Sequence, residues 1–372
     1  MAILMIEDAA LYHQDLYSLY IDFSSAFNTV NHEQLILVMH RLGFPSVAIS
    51  TVRDIYTNAC TKISTPAGDT DDIPIGRGTI QGDTLSPYLF LVFIEPLLRW
   101  LQHGGRGYAP GCLATTKSPK TIAALAYADD LNALTSNLSN LKLQADKVGR
   151  FSKWSGMEVN AKKCAASAIL HAQASAGLAK SPDQDAVIRS RLEGHIHLGR
   201  GTVPYLPPDK PYKYLGVLLT LTLNWSHQFK ATMTTAVEQA CKLQSSFATP
   251  AQKLQVYRSK IVAAMRYVFS TTAFSPLDIK RLDAAMTRFT KGAIGLMGCT
   301  PNALVHEDIS RGGLGMTSLL HPYVQEQTNT VVKCLHDDGR LGSITKHMLM
   351  KQIQNLGMVP GMCAWQDSRY CS

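Results

Sequence analysis

Two adjacent carboxylates, Asp129-Asp130, interrupt an otherwise apolar stretch. Thr121-Ile122-Ala123-Ala124-Leu125-Ala126-Tyr127-Ala128 precedes them and Leu131-Asn132-Ala133-Leu134 follows. Two short apolar segments around a polar pair predict a β-hairpin with the acids at its tip. Like-charged neighbours repel, so such a tip is easiest to explain if a cation neutralises it. A third acid, Asp22, closes an equally apolar strand, Leu16-Tyr17-Ser18-Leu19-Tyr20-Ile21. Taken alone, an acid at a strand end is usually a solvated turn residue. Taken together, hard oxygen ligands with no His or Cys cluster nearby favour Mg²⁺ over zinc and point to metal-assisted phosphoryl transfer.

The 372 residues, 46% of them hydrophobic, are enough for two or three domains with real cores. The net charge of +8 is compatible with a polyanionic partner, and its distribution is more informative than its size. Between Ser226 and Thr300 stand Lys230, Lys242, Lys253, Arg258, Lys260, Arg266, Lys280, Arg281, Arg288 and Lys291, against only Glu238, Asp278 and Asp283. The 8 cysteines lack the short spacings of a zinc or redox motif and read as reduced intracellular thiols. The start, Met1-Ala2-Ile3-Leu4-Met5-Ile6-Glu7-Asp8, has no basic n-region, so no signal peptide is expected. The longest apolar run, Leu85 to Leu101, is broken by Glu95 and Arg99 and is short for a membrane span. A soluble intracellular protein is expected.

Periodicity and capping residues predict helices over Asn31–Leu42, Val47–Asn58, Pro87 to about Gln102, and Leu138 to about Trp154, with stops at Gly43, Gly104-Gly105 and Gly156. The Thr-, Gly-, Asp- and Pro-rich segment Ala59–Thr79 predicts short strands and turns. Cys164 to Tyr212 reads as a loop-rich connection, Tyr212–Leu223 as a strand pair, and Trp225 onward as mostly helical. Strands and helices mix without strict alternation, which argues for an α+β fold. Between the acids lies Gln81-Gly82-Asp83-Thr84-Leu85-Ser86-Pro87. Backbone can approach a ligand closely at Gly82, and Ser86-Pro87 suits a helix start; as a free-standing motif this is only a helix cap.

The ordered series of motifs resembles the active-site blocks of reverse transcriptases. Asp22-Phe23-Ser24-Ser25-Ala26-Phe27 resembles the first block, Gln81 to Pro87 the second, and Tyr127-Ala128-Asp129-Asp130 the third. Gly156-Met157-Glu158-Val159-Asn160-Ala161-Lys162-Lys163 resembles the fourth, and Tyr214-Leu215-Gly216-Val217 the primer grip. The wording is similar to the non-LTR, LINE-type retrotransposon branch, including Gly312-Gly313-Leu314-Gly315, and covers about Asp15 to Gly315. The resemblance implies a right-hand polymerase: an antiparallel palm with partial fingers over 1–222, a helical thumb over 223–300 and a C-terminal extension over 301–372. It implies RNA-directed DNA synthesis by two-metal nucleotidyl transfer from a dNTP to a primer 3′-hydroxyl, on an RNA template and DNA primer.

On this sequence the resemblance makes Asp22 and Asp129 bridging ligands of two Mg²⁺ ions (Mn²⁺ as an alternative), with Asp130 beside them and the Phe23 carbonyl as a further ligand. Phe27 falls at the family's steric gate against ribonucleotides, or is a core Phe. Gln81, Gly82 and Tyr127 stand at the template base and incoming nucleotide, and Tyr214, Leu215 and Gly216 at the primer end. Lys163 is the proton donor to pyrophosphate or a plain solvated lysine. The basic helices hold the template-primer duplex without reading sequence, or present a solvated amphipathic face; Tyr257, Tyr267, Phe269 and Phe289 among them read as core.

Family members carry a longer upstream fingers region than the 21 residues that precede Asp22, and Asn28 and Asn31 stand where Asp is commoner. An endonuclease and a zinc knuckle are not seen. The expectation is therefore an N-terminally truncated reverse transcriptase, with a nuclear location compatible. The second reading is an inactive retrotransposon remnant that retains nucleic-acid binding. An RNA-templated RNA polymerase fits Phe27 and Tyr127 less well, and a group II intron maturase lacks its C-terminal domain here.

Overall fold

Every residue of Leu16–Ile21 is buried, which is what a continuous apolar run with no polar alternation requires of a strand covered on both faces. In the computed structural model this strand is one of the two inner members of a four-stranded antiparallel sheet. The structure describes residues 1–80, 82–113, 121–171, 183–199 and 201–356. Contacts divide the chain into two compact units, Met1–Lys210 and Pro211 onward.

In the first unit, helix α1 (Ala2–Leu11) leads into β1 (Leu16–Ile21) and the two-residue β2 (Phe23–Ser24). Helix α2 (His32–Leu42) starts where Asn31 accepts a hydrogen bond from the Gln34 amide, and stops at Gly43, whose φ of 82° is the left-handed conformation that ends helices. Helix α3 (Ser46–Thr57) follows. The turn-rich segment forms two short ladders, β3 (Cys60–Thr61) with β6 (Ile73–Pro74) and β4 (Ser64–Thr65) with β5 (Gly68–Asp69). Helix α4 (Ser86–Gln102) buries Leu89, Phe90, Phe93, Ile94, Leu97 and Leu101. Then come β7 (Ala124–Tyr127), β8 (Asp130–Thr135), α5 (Leu138–Ser155), β9 (Glu158–Val159) and β10 (Ala165–Ile169). Asn137 caps α5 by accepting from the Asn140 amide, and Gly156 ends it at φ 71°.

The sheet order is β10-β1-β8-β7. β10 corrects the expectation of a loop-rich connection after Cys164. Its sequence, Ala-Ala-Ser-Ala-Ile, carries too little apolar bulk to signal a strand. It is a strand because β1 offers an open edge, pairing Leu16 with Ile169 through Tyr20 with Ala165. Its far side is closed by Pro204–Leu206, where the Ala166 amide donates to the Pro204 carbonyl at 3.0 Å and the Leu206 amide to the Ala166 carbonyl at 2.8 Å. Helix α6 (Asp183–Leu192) and the ladder of β11 (His197–Leu198) with β12 (Gly201–Thr202) fill the rest of that segment.

Helix α1 has no counterpart among the sequence expectations, and a buried carboxylate ties it down. Asp8 is fully buried. It accepts from the Tyr108 hydroxyl at 2.7 Å, the Gly111 amide at 2.8 Å and the Cys112 amide at 3.2 Å. Burial first, and the Asp8 charge second, hold the Tyr108 hydroxyl and Cys112 thiol above their ordinary pKa values, so both stay protonated. Gly111 is required because a Cβ there would lie 2.4 Å from Tyr12 Cβ. Asp8→Asn replaces an acceptor by an amide that faces donors, and about 3 kcal/mol of stability is expected to go. Urea unfolding measures it, and a loss under about 0.5 kcal/mol contradicts the anchoring role.

The second unit begins with the hairpin of β13 (Tyr212–Tyr214) and β14 (Val217–Leu219). The expected palm limit after Thr222 thus falls beyond this unit boundary. The hairpin goes with the helices because the Leu218 amide donates to Gln228 Oε1 at 2.7 Å, fixing β14 to the next helix. Helices α7 (Ser226–Gln244), α8 (Pro250–Val256), α9 (Ala263–Thr271), α10 (Pro276–Ala293), α11 (Asn302–His306), α12 (Leu320–Leu335) and α13 (Arg340–Asn355) follow. The expected separate extension from residue 301 shares its core with them. Val305, Met316 and Leu319 pack in one cluster with Tyr257, Phe269, Leu282 and Met286. The Leu319 amide donates to Asp283 Oδ1 at 2.7 Å and Tyr323 OH to the Phe274 carbonyl at 2.9 Å.

Two of the ten basic residues counted toward a nucleic-acid surface are interior. Lys253 Nζ donates to the Gln244 and Ala293 carbonyls at 3.2 and 3.0 Å, crossing from α8 to the ends of α7 and α10. Lys291 Nζ donates to the Thr300 carbonyl at 2.5 Å and Asn302 Oδ1 at 2.6 Å. The Lys253 ammonium thus meets carbonyls at helix C-terminal ends, where cations are favoured. Lys291→Met strips the donor from the Thr300, Asn302 and Gly298 oxygens and is expected to cost about 2–3 kcal/mol. An unchanged denaturation midpoint would remove that account.

Candidate active site

The register of the sheet sets the three acids. Ile21 pairs with Leu131 in the antiparallel β1–β8 ladder, so one step further along β1 places Asp22 across from Asp130. Asp129 lies in the turn between β7 and β8, where Tyr127 pairs with Asp130. Burial, then the charges of Asp129 and Asp22, push the Asp130 carboxyl above the usual carboxylate range. All three acids therefore share one end of the sheet, and the turn that presents them is strained. Ala128 has φ 52° and Ser25, just after the Asp22 strand, φ 49°. A non-glycine side chain in the left-handed region costs free energy and persists where the surroundings over-determine it, commonly at functional sites.

The fourth motif folds against Asp22. β9 pairs with β2, Phe23 opposite Val159 and Ser24 opposite Glu158. The Asn160 amide donates to the Asp22 carbonyl at 2.9 Å, and the Asp22 amide donates to Cys164 Sγ at 3.4 Å. Burial pushes the Cys164 thiol up to about 11, so it is a neutral acceptor behind the site. Lys163 Nζ lies 3.9 Å from Asp22 Oδ2 on a side chain that is 69% exposed. The contact sets the Lys163 charge beside Asp22.

Phe27 sits on the single helical turn Ala26–Thr29 and stacks on buried Phe90 of α4, ring centroids 4.4 Å apart and 26° from parallel. The residues just before the second motif brace that turn from outside. The Thr79 amide donates to the Phe27 carbonyl and the Gly78 amide to the Val30 carbonyl, each at 2.8 Å. Gly78 has φ 89°, and a Cβ there would meet Asn28 Cα at 2.8 Å, so only glycine lets the two stretches of backbone touch. His32 Nε2 stands 2.8 Å from the Gly78 carbonyl while its ring stacks on Tyr56 at 4.3 Å.

Gln81 lies outside the described residues. Gly82 is exposed with φ 92°, and a Cβ there would have nothing within 4 Å. Ser86 does not cap α4 as its position suggested. Its hydroxyl donates to the Ile80 carbonyl at 2.6 Å, and Asp83 supplies the acceptor for the Leu85 amide at 3.2 Å. Tyr127 is 69% exposed at the end of β7. Tyr214, Leu215 and Gly216 form the β13–β14 turn of the second unit.

The acids suit a hard divalent ion in chemistry and in neighbourhood, since Asp130 already feels the other two. Among the described residues no three His, Cys, Asp or Glu side chains converge on one ligand sphere. Residues 4–219 match the family described as "Reverse transcriptase (RNA-dependent DNA polymerase)".

The chain belongs to the reverse transcriptase family.

Among its relatives it is 28% identical over 300 residues to the Retrovirus-related Pol polyprotein from type-1 retrotransposable element R2 of Popillia japonica, covering 80% of this chain and 39% of that protein. It is 25% identical over 314 residues to the corresponding polyprotein from type-2 element R2DM of Drosophila melanogaster, covering 82% and 27%. It is 24% identical over 294 residues to the RNA-directed DNA polymerase from mobile element jockey of Drosophila melanogaster, covering 74% and 28%. The resemblance to the non-LTR retrotransposon branch is borne out by these relatives, of which the chain spans well under half the length. The β10-β1-β8-β7 sheet is the palm of this reverse transcriptase. Reverse transcriptases in general depend on a divalent metal. No helix among the described residues is long and apolar enough to cross a membrane.

Sequence reasoning missed Cys164 and Asp8. Cys164 immediately follows the fourth motif but nothing in its type marks it, and Asp8 gave no signal because its three donors lie 100 or more residues away.

Proposed function

We propose that this chain carries the polymerase activity of a retrotransposon reverse transcriptase, extending a DNA primer on an RNA template with dNTPs. The observation that carries the reading is the register that sets Asp22 across from Asp130, with Asp129 in the adjoining turn. In it, Asp22 and Asp129, together with Asp130 and the Phe23 carbonyl, would hold two Mg²⁺ ions (or Mn²⁺). When bound, the ions supply activation of the attacking 3′-hydroxyl and stabilisation of the leaving pyrophosphate.

The protein's own part is positioning. The Phe23–Val159 and Ser24–Glu158 pairs hold the backbone that follows the Asp22 ligand. Phe27, fixed against Phe90, meets the sugar of the incoming nucleotide and excludes a 2′-hydroxyl. Gln81, Gly82 and Tyr127 stand at the template base and nucleotide. Lys163, already drawn to Asp22, donates a proton to the leaving pyrophosphate. Tyr214, Leu215 and Gly216 grip the primer. The exposed Lys230, Lys242, Lys260, Lys280 and Arg288 of the helical unit follow the duplex phosphates. Action in the nucleus goes with this reading. Primer extension on poly(rA)/oligo(dT) by the wild type and Asp129→Ala tests the reading; equal incorporation removes it.

A further inference from the structure

The β13–β14 hairpin turns on a residue that resists the conformation. Tyr214 pairs with Val217, leaving Leu215 and Gly216 as the two central residues, at φ 49° and 79°. Positive φ at both positions is a type I′ turn, which prefers Asn-Gly, Asp-Gly or Gly-Gly. Glycine meets the second requirement, and leucine meets the first only with strain.

A tyrosine from α9 holds the strained position. Tyr267 OH donates to the Leu215 carbonyl at 2.6 Å, and its ring edge is 3.8 Å from where a Gly216 Cβ would lie. Its sequence setting suggests a core residue. Tyr267 is instead 51% exposed, so packing does not explain it.

The arm that carries it is tied to α12. Gln327 of α12 donates to the Phe269 carbonyl and, at 3.0 Å, to the Thr272 carbonyl. Thr330 donates to the Ser270 carbonyl at 3.1 Å, and Arg266 pairs with Glu326 at 3.2 Å. A π-helical turn, Tyr257–Val262, runs directly into α9. Such a turn inserts a residue and rotates the helix beyond it, and is frequent at functional sites. Against the hairpin lies a groove of about 390 Å³, lined among others by Lys213, Gly216, Leu218, Gln228, Ile261 and Met265.

We propose that Tyr267 is a positioning residue for the primer strand: its hydroxyl latches the Leu215-Gly216 turn in the geometry that receives the primer's 3′ end. This inference rests on the proposed polymerase reading and on Tyr214-Leu215-Gly216 as the primer grip. A residue with a merely structural role would alter stability and all kinetic constants together. The latch alters one of them.

The test uses Tyr267→Phe, which keeps the ring and removes the hydroxyl. With the full chain on poly(rA)/oligo(dT), KM for template-primer is expected to rise roughly fivefold to tenfold, the scale of one lost hydrogen bond. KM for dTTP and kcat at saturating template-primer should stay within about twofold. Leu215→Asn, which suits the left-handed position by itself, should shrink the Tyr267→Phe effect in the double variant. An unchanged template-primer KM overturns the latch.

Amide exchange of Gly216 and Val217, followed without nucleic acid, gives a readout independent of activity. Tyr267→Phe should accelerate it, and equal exchange in both proteins also overturns the proposal. If the wild type extends no primer beyond the Asp129→Ala background, the polymerase reading fails, and the exchange result alone decides whether the latch exists.

Discussion

Asp129→Ala is expected to lower primer extension on poly(rA)/oligo(dT) by about a thousandfold or more, the scale at which removing one preorganised electrostatic partner of a transition state acts. The loss should appear in kcat, because the carboxylate matters most when charge develops on the attacking and leaving oxygens. The fold should survive. Asp129 lies in the turn between β7 and β8, and the Tyr127–Asp130 pairing that closes the hairpin is made by backbone. Its charge also raises the Asp130 carboxyl, so its removal relieves repulsion at the tip. An unchanged or slightly higher melting temperature with activity lost is the expected pair of results. Full activity in the variant sinks the metal assignment, and unfolding of the variant contradicts the account of the hairpin.

Phe27→Val should open the nucleotide site to ribonucleotides. On the proposed reading the gate works by contact, and a pocket that merely excludes an added hydroxyl discriminates by about a hundredfold. In the proposed reading Phe27 excludes so small a group because its ring is stacked on Phe90 and its backbone carbonyl accepts from the Thr79 amide at 2.8 Å. A ring that cannot retreat turns a small clash into a large penalty. Discrimination between dTTP and UTP, measured as the ratio of kcat/KM, should fall by about that hundredfold, with kcat for dTTP reduced far less. Retained discrimination would assign Phe27 to the core and place the gate elsewhere.

The parts of the fold that were legible were those whose signals are local. Asn31 and Gly43 bound α2, and Asn137 and Gly156 bound α5, as capping and left-handed termination require. Strand β10 was not legible, because alanines become a strand only when β1 presents an edge to them. Nor was the grouping of the β13–β14 hairpin with the helices, which depends on Gln228 reaching back to the Leu218 amide. The basic helices show the same divide. Composition counted ten cations, but packing withdrew Lys253 and Lys291 into the interior and paired Arg266 with Glu326 and Arg281 with Asp278.

Order along the chain determined the family and the acids, because the motifs that carry chemistry are short, contiguous and set at strand ends and turns. Residues whose work depends on partners far along the chain were decided by the tertiary structure alone. Asp8 gathers donors from Tyr108, Gly111 and Cys112; Cys164 stands behind Asp22; Tyr267 reaches Leu215. A hydrogen bond is short-ranged, so a side chain's role is fixed by what folding brings within about 3 Å of it. Asp129-Asp130 needs only its own hairpin to be recognised, and it takes the β1–β8 register to bring Asp22 to the same end of the sheet.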